Sequence, residues 1–235
     1  MYGFFVYQFI TTCTTMTTFK DVTSRLYRDQ ATFFLNAFWP ELGDKKDELE
    51  NTWKYVNMFI ELDIEKGDEG SDLDEFNAHR FLEKIGTTKR VVELRDSLRE
   101  IDMDFNKRMA LVEYLLFRHK FKISVMLERP QGTNEMLARA QQALKAVQTE
   151  IAKIEAKKKE LQAKSAKGGV RGNAAKNELE QLLSSDNTAL NRAVLTAEAA
   201  VRKAAKMEGT AAQGSIWFMQ RELEEAKKYK PRSKQ

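Results

Sequence analysis

The chain is poor in the residues on which disulfide-linked and zinc-binding proteins depend. Its 235 residues include one cysteine and two histidines. Because Cys13 has no partner in the chain, an intramolecular disulfide is excluded and a reducing compartment fits the sequence. His79 and His119 do not stand at a metal-ligand spacing, so zinc chemistry and acyl transfer lack their usual residues. These scarcities argue against an enzyme.

Long apolar runs are also missing. Residues 1–10 are apolar, but about ten residues cannot span a bilayer. No lysine or arginine precedes Lys20 and no small-residue cleavage site follows, so neither a signal peptide nor membrane association is expected. Residues 1–19 are predicted to be a flexible extension, and residues 1–15 either belong to it or precede a native start at Met16.

Charge is divided unevenly along the chain. Residues 1–133 contain 19 Lys+Arg and 23 Asp+Glu, a net charge of −4, whereas residues 134–235 contain 20 and 12, a net charge of +8. A basic C-terminal half predicts an acidic partner, which could be a protein filament, a nucleic acid or an anionic membrane surface. Nucleic acid is disfavoured because aromatic residues do not interleave with the cations and no recognition motif is present.

The most informative motif covers residues 102–113, whose spacing matches an EF-hand calcium loop. Oxygen-bearing groups occupy the ligand positions of that loop: the side chains of Asp102, Asp104, Asn106 and Glu113 and the backbone carbonyl of Arg108. Apolar residues that predict packing contacts lie in the loop and on its flanks: Leu98, Ile101, Phe105, Leu111, Tyr114, Leu115 and Leu116.

One loop position departs from the motif. The sixth residue is normally glycine because the backbone turns there with positive φ, and Lys107 must adopt that conformation at a cost of roughly 1–3 kcal/mol. Lys107 and Arg108 also place two positive charges beside only three acidic ligands. Two alternatives follow: the loop binds calcium weakly, or it has lost the metal and keeps the fold.

A second twelve-residue frame, 72–83, is degenerate. Asp72, Asp74 and Glu83 fall at its first, third and twelfth positions, but Phe76 takes the fifth. An alternative role for Asp72 or Asp74 is to cap a helix from Glu75 to about Ile85. A metal-free loop of this kind still supplies half of a paired EF-hand core.

Helical periodicity extends over most of the chain and predicts an all-α fold. One helix is expected from Lys20 to about Phe38, and a second from about Leu42 to Leu62. The segment 128–134 combines strong turn signals with the change of charge sign. The predicted domains are therefore the extension 1–19, an EF-hand-like helical domain 20–127, a linker 128–134, a helical hairpin or bundle domain 135–229, and a basic tail 230–235.

The C-terminal domain shows two apolar seams with coiled-coil spacing. The first comprises Leu137, Ala140, Leu144, Val147, Ile151, Ile154, Lys158 and Leu161, and the second comprises Leu190, Val194, Ala197, Val201 and Ala204. They predict an antiparallel hairpin, with a break at 165–172 and a short helix from about Asn173 to Leu183. An exposed seam would also allow self-association.

Four stretches of the chain resemble the calcium-regulated actin-bundling proteins of amoebae and other protists. They are residues 33–39, residues 68–74 with the calcium loop and 113–116, residues 197–202, and residues 216–225. The resemblance implies a cytoplasmic, cytoskeletal protein that cross-links F-actin, with calcium at the loop reducing the bundling. It places the main filament contact near residues 169–172, and the candidate contact residues there are Lys157, Lys158, Lys159, Lys164, Lys167, Arg171 and Lys176.

Two other functions remain open from the sequence. The basic hairpin could bind acidic tubulin surfaces, as in an axonemal structural protein, or the EF-hand pair could act as a calcium sensor that receives a target helix. Cross-linking requires two filament contacts, which either separate surfaces of one chain or a dimer could supply.

Overall fold

The computed structural model describes residues 17–86, 96, 98–132, 135–184, 187–206 and 212–229. Helices dominate these residues, and their strand content is one antiparallel ladder of two residues per strand. The predicted all-α class is therefore confirmed. Among the described helices, none is both long enough and apolar enough to cross a membrane.

The helices fall into an N-terminal and a C-terminal group. The first group is α1 (Phe19–Thr23), α2 (Tyr27–Ala37), α3 (Trp39–Leu42), α4 (Lys46–Leu62), α5 (Glu75–Lys84), α6 (Leu111–His119) and α7 (Ile123–Glu128). The second group is α8 (Glu135–Ser165), α9 (Gly169–Ser184), α10 (Thr188–Ala205) and α11 (Gln213–Lys227). Strands β1 (Asp72–Leu73) and β2 (Met109–Ala110) lie in the first group, where a 3₁₀ turn covers Gly67–Glu69.

The helix predicted from Lys20 to Phe38 is broken at residues 24–26. The buried side-chain amide of Gln30 donates to the carbonyls of Thr23 and Arg25, at 3.0 and 2.7 Å. These bonds satisfy carbonyls that the break removes from the helical pattern, so the interruption does not leave them unpaired. The next helix, α3, has Pro40 in its first turn, where a missing N–H removes no helical bond.

The predicted break at 165–172 is shorter than expected, since α9 begins at Gly169 rather than near Asn173. Gly168 and Gly169 make the turn with φ of +68° and +70°. Gly172 is already helical and buried, and a Cβ there would lie 3.1 Å from the carbonyl oxygen of Ser165. The glycines thus serve a tight turn and the close approach of two helices, and little of this segment is loop.

Two apolar clusters form the core. The first gathers buried residues of α1 to α7 and the calcium loop, and the second gathers residues of α8, α10 and α11. All five residues of the second predicted seam are buried, as are Leu137, Ala140, Leu144, Val147 and Leu161 of the first; Ile151, Ile154 and Lys158 are only partly covered. The hairpin is thus confirmed, while the exact domain limits stay predictions.

Helix α11 belongs to both clusters. Its Phe218 is buried in the first, whereas Ile216, Met219 and Leu223 pack in the second. At its start the backbone passes so close to α2 that a Cβ on Gly214 would lie 2.6 Å from the amide nitrogen of Asn36. Only glycine fits this crossing without movement of a helix.

Polar contacts fix the same crossing. The side-chain amide of Asn36 donates to the Ser215 hydroxyl at 2.8 Å, and the Ser215 backbone N–H donates back to the Asn36 side-chain oxygen at 2.8 Å. Nearly two turns further along, Arg221 pairs with Glu50 at 3.0 Å and lies over the Trp53 ring. Charged, polar and aromatic contacts therefore join α11 to the N-terminal group of helices.

Replacing Phe218 by alanine should lower the free energy of unfolding by about 3–5 kcal/mol, because the cavity opens where the two clusters meet. Denaturant unfolding followed by circular dichroism measures the change. Phe76→Ala is the matched control, since that ring is 69% exposed and its loss should cost no more than about 0.5 kcal/mol. An equal, small effect of both variants would contradict the shared packing.

Candidate calcium loop and basic hairpin

The loop 102–113 is one member of a paired EF-hand, because β2 within it pairs with β1 of an earlier loop. Leu73 lies opposite Met109, the eighth residue of the calcium loop. The ninth residue, Ala110, is the N-cap of α6, and Asp74 is likewise the N-cap of α5. Both correspondences make residues 66–77 the partner loop.

The sequence frame 72–83 is therefore wrong by six residues. Asp72 is in a strand, and Glu83 lies near the exposed end of α5. The capping alternative is confirmed for Asp74, whose carboxylate accepts the Asn77 N–H at 2.8 Å. In this frame the first residue of the partner loop is Lys66 and the fifth is Gly70. Lysine has no side-chain oxygen and glycine has no side chain, so neither position offers a side-chain ligand for calcium.

The ligand loop gathers three of its predicted acidic groups. Carboxylate oxygens of Asp102, Asp104 and Glu113 all lie within 4.8 Å of one another. Asp102 accepts the N–H groups of Asn106 and Lys107, at 3.0 and 2.9 Å. These turns fold the loop so that its oxygen-bearing side chains converge.

Asn106 and Arg108 complete the loop in different ways. The side-chain oxygen of Asn106 accepts the Arg108 N–H at 2.6 Å. The Arg108 guanidinium instead leaves the loop and pairs with the Asp72 carboxylate of the partner loop. Its predicted contribution to an ion is only its backbone carbonyl, so the side-chain pair does not compete with that function.

Glu113 is the chemically unusual member of the set. It is fully buried, and its carboxylate accepts the N–H groups of Met103 and Ala110 at 2.9 Å each. Burial, the largest cause, together with the nearby charge of Asp104, raises the pKa of Glu113 to about 7. Within the described part of the chain no lysine or arginine forms an ion pair with the three carboxylates. An acidic cluster with one buried member and no ion-paired cation among the described residues fits a hard cation that prefers oxygen ligands, such as calcium.

Two loop residues occupy the left-handed region. Lys107 has φ of +61°, which confirms the conformation predicted for the sixth position. Phe105 has φ of +58° and is 85% exposed, so the prediction that it packs inside the loop is wrong. The remaining predicted contacts are buried or packed against the core: Leu98, Ile101, Leu111, Tyr114, Leu115 and Leu116.

Gln30 is a positioning residue that the sequence did not suggest. Ala110 has no side-chain oxygen with which to cap α6, and Gln30 supplies one from 82 residues away by accepting the Val112 N–H at 3.0 Å. The same side chain donates to the Ser71 carbonyl at 2.6 Å. Gln30 thus ties both loops to the start of α2. A glutamine amid apolar helix residues gives no sequence signal of this role.

The predicted basic residues lie on α8, on α9 and in the turn between them. Three are in ion pairs: Lys157 with Glu178 at 3.1 Å, Lys158 with Glu155 at 3.4 Å, and Lys164 with Glu160 at 2.5 Å. The other four are exposed and make no ion pair with any described residue: Lys159, Lys167, Arg171 and Lys176. The pair between Lys157 and Glu178 shows that α9 runs back along the last turns of α8.

These features define a helical protein in which a paired EF-hand with one ligand-bearing loop is joined to a basic hairpin. Residues 108–235 match the family model described as F actin bundling C terminal. A calcium-regulated actin-bundling protein of Dictyostelium discoideum is 33% identical over 92% of this chain and 89% of its own length. The chain therefore belongs to this actin-bundling family, which confirms the resemblance seen in the sequence.

The fold agrees with the same assignment. The crystal structure of the 34 kDa F-actin bundling protein from Dictyostelium discoideum superimposes with a TM-score of 0.81 and 28% sequence identity. The match covers 92% of this chain and 96% of that one. Both the EF-hand module and the helical hairpin therefore have counterparts in a solved structure.

The raised pKa of Glu113 should make the stability of the calcium-free chain depend on pH. A carboxyl whose pKa is higher in the folded state stabilises the fold below its unfolded pKa, and this contribution disappears as the pH rises through about 7. Glu113→Gln, which stays neutral, should therefore gain stability relative to the wild type between pH 5 and pH 8. Thermal melts in chelator measure this difference.

The stability difference between wild type and Glu113→Gln is compared at pH 5 and at pH 8. Any cost of the buried glutamine amide that does not vary with pH cancels in this comparison. Glu83→Gln changes an exposed carboxylate and should follow the wild type at both pH values. A stability difference between wild type and Glu113→Gln that does not vary with pH would refute the assigned titration.

Proposed function

We propose that this chain cross-links actin filaments and that calcium bound in loop 102–113 reduces the cross-linking. The observation that carries the proposal is its membership of the actin-bundling family, with relatives that match both modules. Those relatives are named as bundling proteins, and a cytoskeletal location follows from the same reasoning. F-actin is an acidic polymer, which suits the basic C-terminal half.

The calcium part of the proposal rests on the chemistry of the loop. Asp102, Asp104, Asn106 and Glu113 would hold the ion through side-chain oxygens, and Arg108 would do so through its carbonyl. A bound calcium ion supplies the positive charge that the buried Glu113 lacks. Because Glu113 must be ionised to act as a ligand, calcium affinity should fall as the pH drops below about 7.

The filament-binding part rests on the exposed cations of the hairpin. Lys159, Lys167, Arg171 and Lys176 are not engaged by described carboxylates, so their charge is available to a partner. The ion pairs of Lys157, Lys158 and Lys164 are at the surface, where such pairs contribute little to stability and can be exchanged. Binding should weaken with salt because exposed charges are screened beyond about 8–10 Å near physiological ionic strength.

Calcium titration of the full chain by isothermal calorimetry tests the regulatory part. We expect binding of one ion in the wild type and no heat at the same concentrations in Glu113→Gln, which loses a bidentate carboxylate ligand. Glu83→Gln changes the twelfth residue of the incorrect frame 72–83 and should bind calcium like the wild type. In low-speed pelleting with F-actin, calcium should reduce bundling by the wild type and leave Glu113→Gln unaffected.

Lys107→Gly provides a change in the opposite direction. The glycine should raise the free energy of unfolding in chelator by about 1 kcal/mol, because it removes the left-handed strain. Loss of a positive charge beside the ligands should also tighten calcium binding. A wild-type chain that gives no heat with millimolar calcium would refute regulation at this loop and leave the bundling proposal standing.

Reversing charge at Lys157, Lys159 and Arg171 together tests the filament surface. At low salt the triple glutamate variant should bind F-actin roughly tenfold more weakly in high-speed pelleting, because each surface charge pair contributes up to about 1 kcal/mol. The matched control reverses Lys145, Arg192 and Lys203, which are exposed cations of the same half outside the cluster. Both variants carry the same change of net charge.

Equal loss in the two triple variants would show that only net charge matters, and unchanged pelleting of the first would refute the assigned surface. Co-sedimentation with microtubules in parallel tests tubulin as the alternative polymer. Binding to microtubules but not to F-actin would overturn the proposed function.

A further inference from the structure

We propose that Asp72, in the metal-free partner loop, is a positioning residue for calcium: it holds Arg108 so that the carbonyl of Arg108 faces the ion. This inference rests on the calcium site proposed above. It assigns a function to the loop that binds no ion, and it makes calcium affinity depend on a residue that is not a ligand.

Two contacts attach Arg108 to the partner loop. Its Nε donates to the Asp72 carboxylate, and its terminal nitrogen lies 3.5 Å from the Asp72 carbonyl oxygen. The next residue, Met109, is paired with Leu73 in the ladder. Arg108 is therefore attached to the partner loop by its side chain and by the strand that follows it. Its backbone carbonyl lies between these two attachments and has little freedom to turn.

The surroundings of Asp72 make it a rigid support. The hydroxyl of the fully buried Tyr27 lies 2.9 Å from both the Asp72 carbonyl oxygen and a carboxylate oxygen of Asp63, which ends α4. Gly70 packs so closely against this group that a Cβ would lie 2.0 Å from the Asp63 carboxylate. The backbone of Asp72 is thus held by α2 and by the end of α4, and its carboxylate, which accepts the Ser71 hydroxyl at 3.1 Å, is held by the loop itself.

The position of Asp72 also separates it from the ligand set. It lies outside the Asp102, Asp104 and Glu113 cluster, and its carboxylate is directed to a guanidinium. If the Asp72–Arg108 pair affected the site only through its charges, removing the positive charge of Arg108 would tighten calcium binding. If the pair positions the Arg108 carbonyl, at the seventh position of the loop, the same change weakens calcium binding. The two explanations predict opposite signs.

The test is calcium calorimetry on the full chain with Arg108→Gln, Asp72→Asn and the double variant. We expect each single variant to bind calcium about tenfold more weakly, as is typical when a residue that orients a ligand is lost. The double variant should bind no more weakly than either single one, since both changes break one link. Thermal melts in chelator measure the stability of each variant independently of calcium.

Two further variants separate charge from geometry. Arg99→Gln removes an exposed cation near the loop that pairs with Asp96, and this variant should bind calcium as tightly as the wild type or more tightly. Arg108→Lys keeps the charge but not the planar fork and should show most of the loss. Arg108→Lys still tests the inference if Arg108→Gln folds poorly.

Calcium binding by Arg108→Gln that equals or exceeds that of the wild type would overturn the positioning role and leave the proposed calcium site intact. Additive losses in the double variant would overturn it as well, because the two residues would then act separately. A wild-type chain that binds no calcium would remove both the proposed site and this inference.

Discussion

The fold depends on one helix serving two hydrophobic cores. Helix α11 inserts Phe218 among the EF-hand helices while its other apolar residues complete the hairpin, so neither core is finished without the last described helix of the chain. The close crossing at Gly214 and the reciprocal Asn36–Ser215 hydrogen bonds fix its position. The two halves of the chain, which have opposite net charge, are therefore coupled by packing rather than by a flexible tether.

The second constraint is electrostatic. Burying the Glu113 carboxylate without a neutralising cation is unfavourable, and the chain keeps that group in place with backbone N–H donors and a glutamine that caps the adjacent helix. The same arrangement holds the loop in a shape that suits a divalent ion. The left-handed Lys107 and its positive charge would act against calcium affinity at the proposed site, which thus combines converging oxygen ligands with a weakened attraction.

Local spacing in the sequence was enough to predict most of the helices, the hairpin and the three acidic residues that loop 102–113 brings together, since these depend on residues close together in the chain. Contacts across the fold were not predictable in this way. Gln30 caps a helix 82 residues away, and the partner loop could be counted correctly only from the ladder between Leu73 and Met109. Apolar character alone also misplaced Phe105, whose positive φ turns its ring to solvent.

Helix α8 is long enough that a small change in its tilt would displace its far end by several ångströms. Its 31 residues extend about 46 Å, and four of its five buried residues lie in the first half, where it packs against α10 and α11. The far half, which carries Lys157 to Lys164, is covered mainly by α9. A tilt of about 10° at the anchored end would displace the far end by roughly 8 Å. A small change of orientation where α8 is anchored would therefore become a large displacement of the lysines at its far end.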